Sequence, residues 1–184
     1  MDHPTAEVLE EGIPHIASAP KDEGRIDLIV RRPRDEEREV LEEGTFDEEV
    51  GLVGDNWQVK PCKKTSDRSA HPHMQVNIMN SRAAQLFAGS KERWPLAGDQ
   101  LYVDFDLSAE NLPVGTQLEI GSAILEVTEI PHLGCAKFAR RFGSLALKFV
   151  NSEVGRSLHL RGINAKVVQG GQVLTGGVIR KVVG

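Results

Sequence analysis

Leu101-Tyr-Val-Asp-Phe-Asp-Leu107 sets apolar side chains at 101, 103, 105 and 107, with Tyr102, Asp104 and Asp106 between them. A period of two is what a β-strand with one covered face requires, and a helix cannot satisfy it. The same logic recurs in shorter runs: Arg25–Arg32, stopped by Pro33, then Gln75–Met79, Leu118–Ile120, Ala123–Thr128, Asn164–Gln169, Gln172–Leu174 and Val178–Val183. Gly121-Ser122, Gly170-Gly171 and Gly176-Gly177 fall between them as turn signals. Helical runs are few. Ser81 predicts an N-cap for Arg82–Ala88, which Gly89 ends, and Gly143 separates Ala136–Phe142 from Ser144–Ser152. Short strands joined by glycine turns, with a few short helices, predict a β-rich α+β fold, either a barrel or a sandwich.

Residues 1–23 have weak periodicity and three prolines. They are read as an N-terminal extension that drapes over the domain or stays mobile, with Val8–Ile16 apolar enough to dock as an extended arm or on a partner chain, a hint of a homodimer. The domain proper runs from Gly24 to Gly184. Asp35–Glu43 fits a short helix or a strand with charged flanks, its charges on a solvated face. Gly51-Leu-Val-Gly-Asp55 fits a hairpin corner whose aspartate caps a neighbouring amide, or a loop at the mouth of a site with Trp57 as a wall. Lys60–His73 is polar and basic and is read as a surface loop.

Several function classes are disfavoured. A formal net charge of −5 argues against generic nucleic-acid binding. Cys62 and Cys135, 73 positions apart, form no disulfide framework and no CxxC pair. This fits a reducing, cytoplasmic setting. No run approaches the roughly 18 apolar residues of a membrane span, and the acidic, proline-interrupted N-terminus is no signal peptide. His71, His73, His132 and Cys135 are metal-ligating types but lack recognised ligand spacing.

Cys135 carries the chemistry. Ile124–Thr128 reads as a strand, Pro131-His-Leu-Gly134 breaks it, and a helix resumes at Ala136, which sets Cys135 at a helix N-terminus. Partial positive charge there, with His132, Lys137, Arg140 and Arg141 close in sequence, favours a thiolate, the form that attacks, carries sulfur or binds metal. A buried, inert cysteine is the competing reading. His132 could orient or deprotonate the thiol, or cap the turn. Arg156 and Arg161 offer planar forks suited to phosphate.

The run Ala97–Gly143 (AGDQLYVDFDLSAENLPVGTQLEIGSAILEVTEIPHLGCAKFARRFG), with Arg161–Ile179 (RGINAKVVQGGQVLTGGVI), Gly51–Asp55 and Gln75–Met79, resembles the MOSC domain, the module that also ends molybdenum cofactor sulfurases. The likeness covers residues 24–183 in order and is to the small stand-alone bacterial members. It implies a MOSC-type β-barrel and one functional cysteine, at Cys135. That cysteine would carry sulfur as a persulfide towards a metal–sulfur centre or contact the molybdenum cofactor as a metal ligand. Asp55 matches the family's glycine-rich turn, and Asn111 its asparagine after the central strand. With Lys137, Arg140, Arg141 and Arg161 they form the expected cofactor-binding set, beside Cys135 and His132 as the catalytic pair. Many members have Arg-His where this chain has Asn56-Trp57, and proline where it has Gly134. Three activities follow from the resemblance: a sulfur carrier served by a cysteine desulfurase, a molybdenum-dependent reductase of N-hydroxylated compounds fed by an electron-donor protein, or a non-catalytic binding module. No lysine context suggests pyridoxal phosphate as a working cofactor.

Overall fold

The computed structural model describes residues 3–182; Val183, where the sequence predicts the last strand to end, and Gly184, the end of the domain, lie outside them, as do Met1 and Asp2. In chain order the strands are β1 (Glu23–Arg31), β2 (Glu39–Leu41), β3 (Glu43–Asp47), β4 (Gly51–Leu52), β5 (Val76–Asn80), β6 (Leu101–Asp104), β7 (Gln117–Ile120), β8 (Ala123–Val127), β9 (Ile163–Gln169), β10 (Gly171–Leu174) and β11 (Val178–Lys181). The helices are α1 (Ala6–Glu11), α2 (Ile13–Ala17), α3 (Ser81–Ala88), α4 (Ala136–Phe142), α5 (Ser144–Val150) and α6 (Glu153–Ser157).

Seven strands close into a barrel in the order β11-β7-β8-β9-β5-β6-β1, and antiparallel pairing of Glu23–Arg25 with Val178–Arg180 joins the ends. Closure removes the sheet edges that an open sheet would expose. β2 extends β1, and β10, β3 and β4 form a small separate sheet. Among the described residues, β5 and β6 are the parallel pair. A parallel connection needs a crossover, here α3 and a 3₁₀ segment, Lys91–Ala97, laid on the outer wall.

Both faces of that wall are therefore buried. Ile26, Ile29, Leu101 and Val103 fill the barrel, while Leu28, Val30, Met79 and Tyr102 pack outward against the helices. Tyr102, which alternation alone places on a polar face, is fully buried with its hydroxyl donating to the Trp94 carbonyl at 2.6 Å.

Two local expectations differ from the structure, and an open one is decided by it. Part of the N-terminal extension is helical: Thr5 accepts from the Val8 amide and opens α1, and Leu9 and Ile16 are buried against this chain's own outer layer. α3 is capped by Asn80, not Ser81; its Oδ1 accepts from the Arg82 and Ala83 amides at 2.8 and 3.1 Å, leaving the Ser81 hydroxyl to donate to Asp27. Of the two readings of 35–43, the strand is the one found: a turn leads into β2, where Val40 pairs with Val30, while Asp35 and Glu36 face cations on α4 and Glu39 pairs with Arg31.

Candidate functional site

The loop from β8 to α4 is tied down at both ends. The Thr128 amide donates to the Asn164 carbonyl (3.0 Å), and Asn164 Nδ2 to the Ile130 carbonyl (2.9 Å). At the other end the Gly134 amide donates to Asn151 Oδ1 (2.9 Å), while Asn151 Nδ2 donates back to the Gly134 carbonyl (3.2 Å). A Cβ at Gly134 would sit 2.7 Å from Val150 and 2.8 Å from Leu147. A proline there would also lack the amide that Asn151 receives. Glycine before the cysteine thus belongs to the packing of this loop on α5. The clamp delivers Cys135, free and exposed, to the residue just ahead of α4.

Cys135 opens onto a cavity of about 220 Å³. Six cations line it: Arg32, Arg38, Lys60, Lys137, Arg141 and Arg161. Asp35 is the one acidic lining residue. In a chain with net negative charge, that is a local concentration of cationic side chains rather than a reflection of composition.

Buried carboxylates hold two of the cations. Arg161 grips Asp99 through Nη1 at 2.9 and 2.7 Å, donates Nη2 to the Ala97 carbonyl at 2.8 Å, and lies over the Phe138 ring at 5.3 Å. Gly162 follows with φ +105°, and a Cβ there would meet the Ile78 carbonyl oxygen at 2.3 Å, so only glycine lets β9 start this close to β5. Arg32 grips Asp55 through Nε (2.8 Å) and Nη2 (2.7 Å), and its Nη1 donates to the Gly98 carbonyl (2.7 Å). Asp55 also accepts from the Arg32 and Trp57 amides. It is fully covered and acts by fixing Arg32.

Arg38 and Lys60 are different. Arg38 donates to the Pro95 and Glu37 carbonyls, and no salt bridge engages it or Lys60 among the described residues. Partial enclosure lowers the pKa of both groups, and neighbouring cations add to it: Arg141 and Arg32 for Arg38, Arg32 and Lys137 for Lys60. An anion in the cavity would reverse that penalty.

Four buried polar atoms lack a hydrogen-bond partner among the described residues: Asn56 Oδ1, Trp57 Nε1, His132 Nδ1 and Arg161 Nε. Asn56, His132 and Arg161 line the Cys135 cavity. Trp57 lines an adjoining hollow of about 280 Å³ that shares Arg32, Lys60, Met74 and Asn77 with it. Unsatisfied buried groups are uncommon, and here they gather around one cavity.

His132 lines the cavity but makes no hydrogen bond to Cys135 among the described residues; its Nδ1 lies 3.4 Å from Asp99 Oδ1. Burial, then the nearby Arg161 and Arg32, push its pKa well below the ordinary histidine value. The folded protein holds this imidazole neutral, whereas the unfolded chain protonates it below about pH 6.5. With the folded pKa depressed, its contribution is present above pH 6.5 and lost as pH falls, at up to about 1.4 kcal/mol per pH unit. Urea unfolding between pH 7.5 and 5 is expected to show this slope, and His132→Gln to reduce it.

The remaining residues singled out in the sequence scatter. Lys137 and Arg141 line the cavity. Arg140 points away, 67% exposed, 3.8 Å from Glu36. Asn111 does not line the cavity; it donates to the Lys21 and Asp106 carbonyls and accepts from Lys181 Nζ at 2.9 Å. His73 pairs with Glu129 (2.8 Å), and no group of three or more His, Cys, Asp or Glu side chains is placed to hold a metal among the described residues. Arg32, Arg38, Lys60 and Asp99 were not anticipated. The Arg31-Arg32-Pro33 end of a strand was the available signal for Arg32.

No family model and no curated protein matches the sequence. Solved structures do match. The YuaD protein from Bacillus subtilis aligns with TM-score 0.63 and 20% identity, over 85% of this chain and 94% of that one. YiiM from Escherichia coli gives 0.56 and 19%, over 87% and 70%. YiiM from Geobacillus stearothermophilus gives 0.55 and 15%, over 87% and 75%. Identities this low speak to the fold alone, and the fold they share with the closed seven-strand barrel described above is MOSC-like.

Proposed function

We propose that the Cys135 cavity binds the molybdenum cofactor, with Cys135 as the sulfur that meets it. The observation carrying this reading is the convergence of six cations on a cavity that also presents an exposed thiol. A pterin cofactor bears a phosphate, and guanidinium and ammonium groups are its usual holders. The donor set fits. Among the described residues, Arg38 and Lys60 have no carboxylate partner and Arg161 Nε and Asn56 Oδ1 are a donor and an acceptor without partners, and a thiolate is a soft ligand suited to a metal–sulfur centre. When bound, the group supplies a redox-active metal. The chain's own part is to neutralise phosphate with Arg38, Lys60, Lys137 and Arg141. Met74, Leu133 and Phe138 make apolar stretches of the wall. His132, held neutral, adds no further positive charge.

A persulfide-carrying role for Cys135 is supported by its exposure, because sulfur transfer requires a partner such as a desulfurase to reach the thiol. A reductase role is supported by the hollow beside Trp57, which gives a second molecule a place against the same wall. The test of cofactor binding, on which the reductase role depends, is the molybdenum and pterin content of protein purified gently from a cofactor-competent host; trapping of a persulfide on Cys135 tests the carrier role. Metal and pterin in near-equimolar ratio with the chain are expected. Their absence under conditions that load a known molybdenum protein in the same host would refute cofactor binding.

A further inference from the structure

The turn between β1 and β2 sets its own carboxylates on the cations at the cavity mouth. Asp35 lies 2.8 Å from Lys137 Nζ, and Glu36 lies 2.9 Å from the same Nζ, pairs with Arg141 and approaches Arg140 at 3.8 Å. Lys137 and Arg141 are two of the six lining cations, and Asp35 is the one lining acid. The turn is also strung between two others, Arg32 and Arg38. Its placement is weakly held. Asp35 is 72% and Glu36 51% exposed, so each pair contributes little. Glu36 has φ +63°, a left-handed conformation that costs a non-glycine residue about 1 kcal/mol. Within the turn, one backbone hydrogen bond is present, from the Glu37 amide to the Arg34 carbonyl at 3.2 Å.

We infer that the Asp35–Glu36 turn is a built-in competitor for the cavity: its carboxylates occupy Lys137 and Arg141 until an incoming phosphate-type anion displaces them, and the turn swings aside as the ligand enters. The left-handed Glu36 and the exposed carboxylates make the exchange cheap, because giving up their contacts with Lys137 and Arg141 also releases backbone strain. Carboxylate and phosphate compete for the same donors, and the more highly charged phosphate makes the stronger bidentate contacts. The inference rests on the reading of the cavity as an anion site and adds its regulation.

Inorganic pyrophosphate is the probe, titrated by calorimetry into the full chain purified without cofactor. The double variant Asp35→Asn/Glu36→Gln is expected to bind it about fivefold more tightly than wild type, the size that two exposed carboxylates allow. Glu37→Gln is the control for the general field. It removes a charge from the same turn, but Glu37 pairs with Arg34 rather than with α4, so its effect should stay below twofold. Amide exchange over residues 34–38 should rise on saturation of the wild type. Equal affinity in wild type and double variant, an equal gain in Glu37→Gln, or slower exchange over the turn would overturn the competitor. Failure of pyrophosphate to bind either protein would instead remove the anion-site reading on which it depends.

Discussion

Arg161→Met is expected to lower the unfolding free energy by about 3–5 kcal/mol, the scale of breaking a buried ion pair from one side. Asp99 is fully covered, and Arg161 Nη1 donates to both of its oxygens. Burial raises the Asp99 pKa, and the Arg161 guanidinium is the chief opposing influence. Without it the folded pKa rises further above the unfolded value. The stability linked to Asp99 is then retained at acid pH and lost as pH climbs through that raised value, so the deficit should shrink on acidification. Methionine keeps much of the apolar bulk over Phe138. Denaturant unfolding at pH 7.5 and pH 5 reads the effect, and Asp99→Leu with Arg161→Met should restore most of it. A loss below about 1 kcal/mol would be that of an exposed pair and would contradict the buried geometry.

The largest functional loss is expected from Arg38→Gln with Lys60→Gln. Among the described residues these two cations line the cavity without a carboxylate partner, which leaves their charge for a ligand. Each charge-assisted contact is worth about 1.5–3 kcal/mol. Removing both should therefore weaken cofactor binding by roughly a hundredfold or more. The variant should fold normally, because no buried acid loses its counter-ion. Pterin and molybdenum content after identical purification measures the loss. Unchanged content would move the anion site elsewhere.

The barrel was legible because closure needs many short strands of period two, and that pattern survives in sequence. Leu101–Leu107 announced the wall that became β6. Its limits came from tertiary context: Tyr102 looks solvent-facing until α3 and the Lys91–Ala97 segment cover it. In the site, Cys135, Lys137 and Arg141 were legible because they lie together in the chain. Arg161 could be proposed as an anion contact, but its partner Asp99 lies 62 residues away. Arg32, Arg38 and Lys60 reach the cavity only through the pairing of β1 with β6 and the fold of the 55–74 segment. In sequence they look like a strand end, a solvated face and a surface loop. Arg140 shows the converse, since proximity to Cys135 in the chain did not bring it to the cavity, and Asn111, expected from the resemblance alone, does not line it either.

The most direct test of an anionic cofactor seated against Cys135 is the rate at which iodoacetamide alkylates that thiol, read by peptide mass spectrometry. Protein from cells that make the molybdenum cofactor is compared with protein from cells that cannot. Cys135 is exposed and open to reagent, so rapid labelling is expected without cofactor, and labelling slowed at least tenfold, in proportion to bound pterin, with it. Equal rates in protein shown to carry pterin would place the cofactor away from Cys135 and contradict the assignment of this cavity.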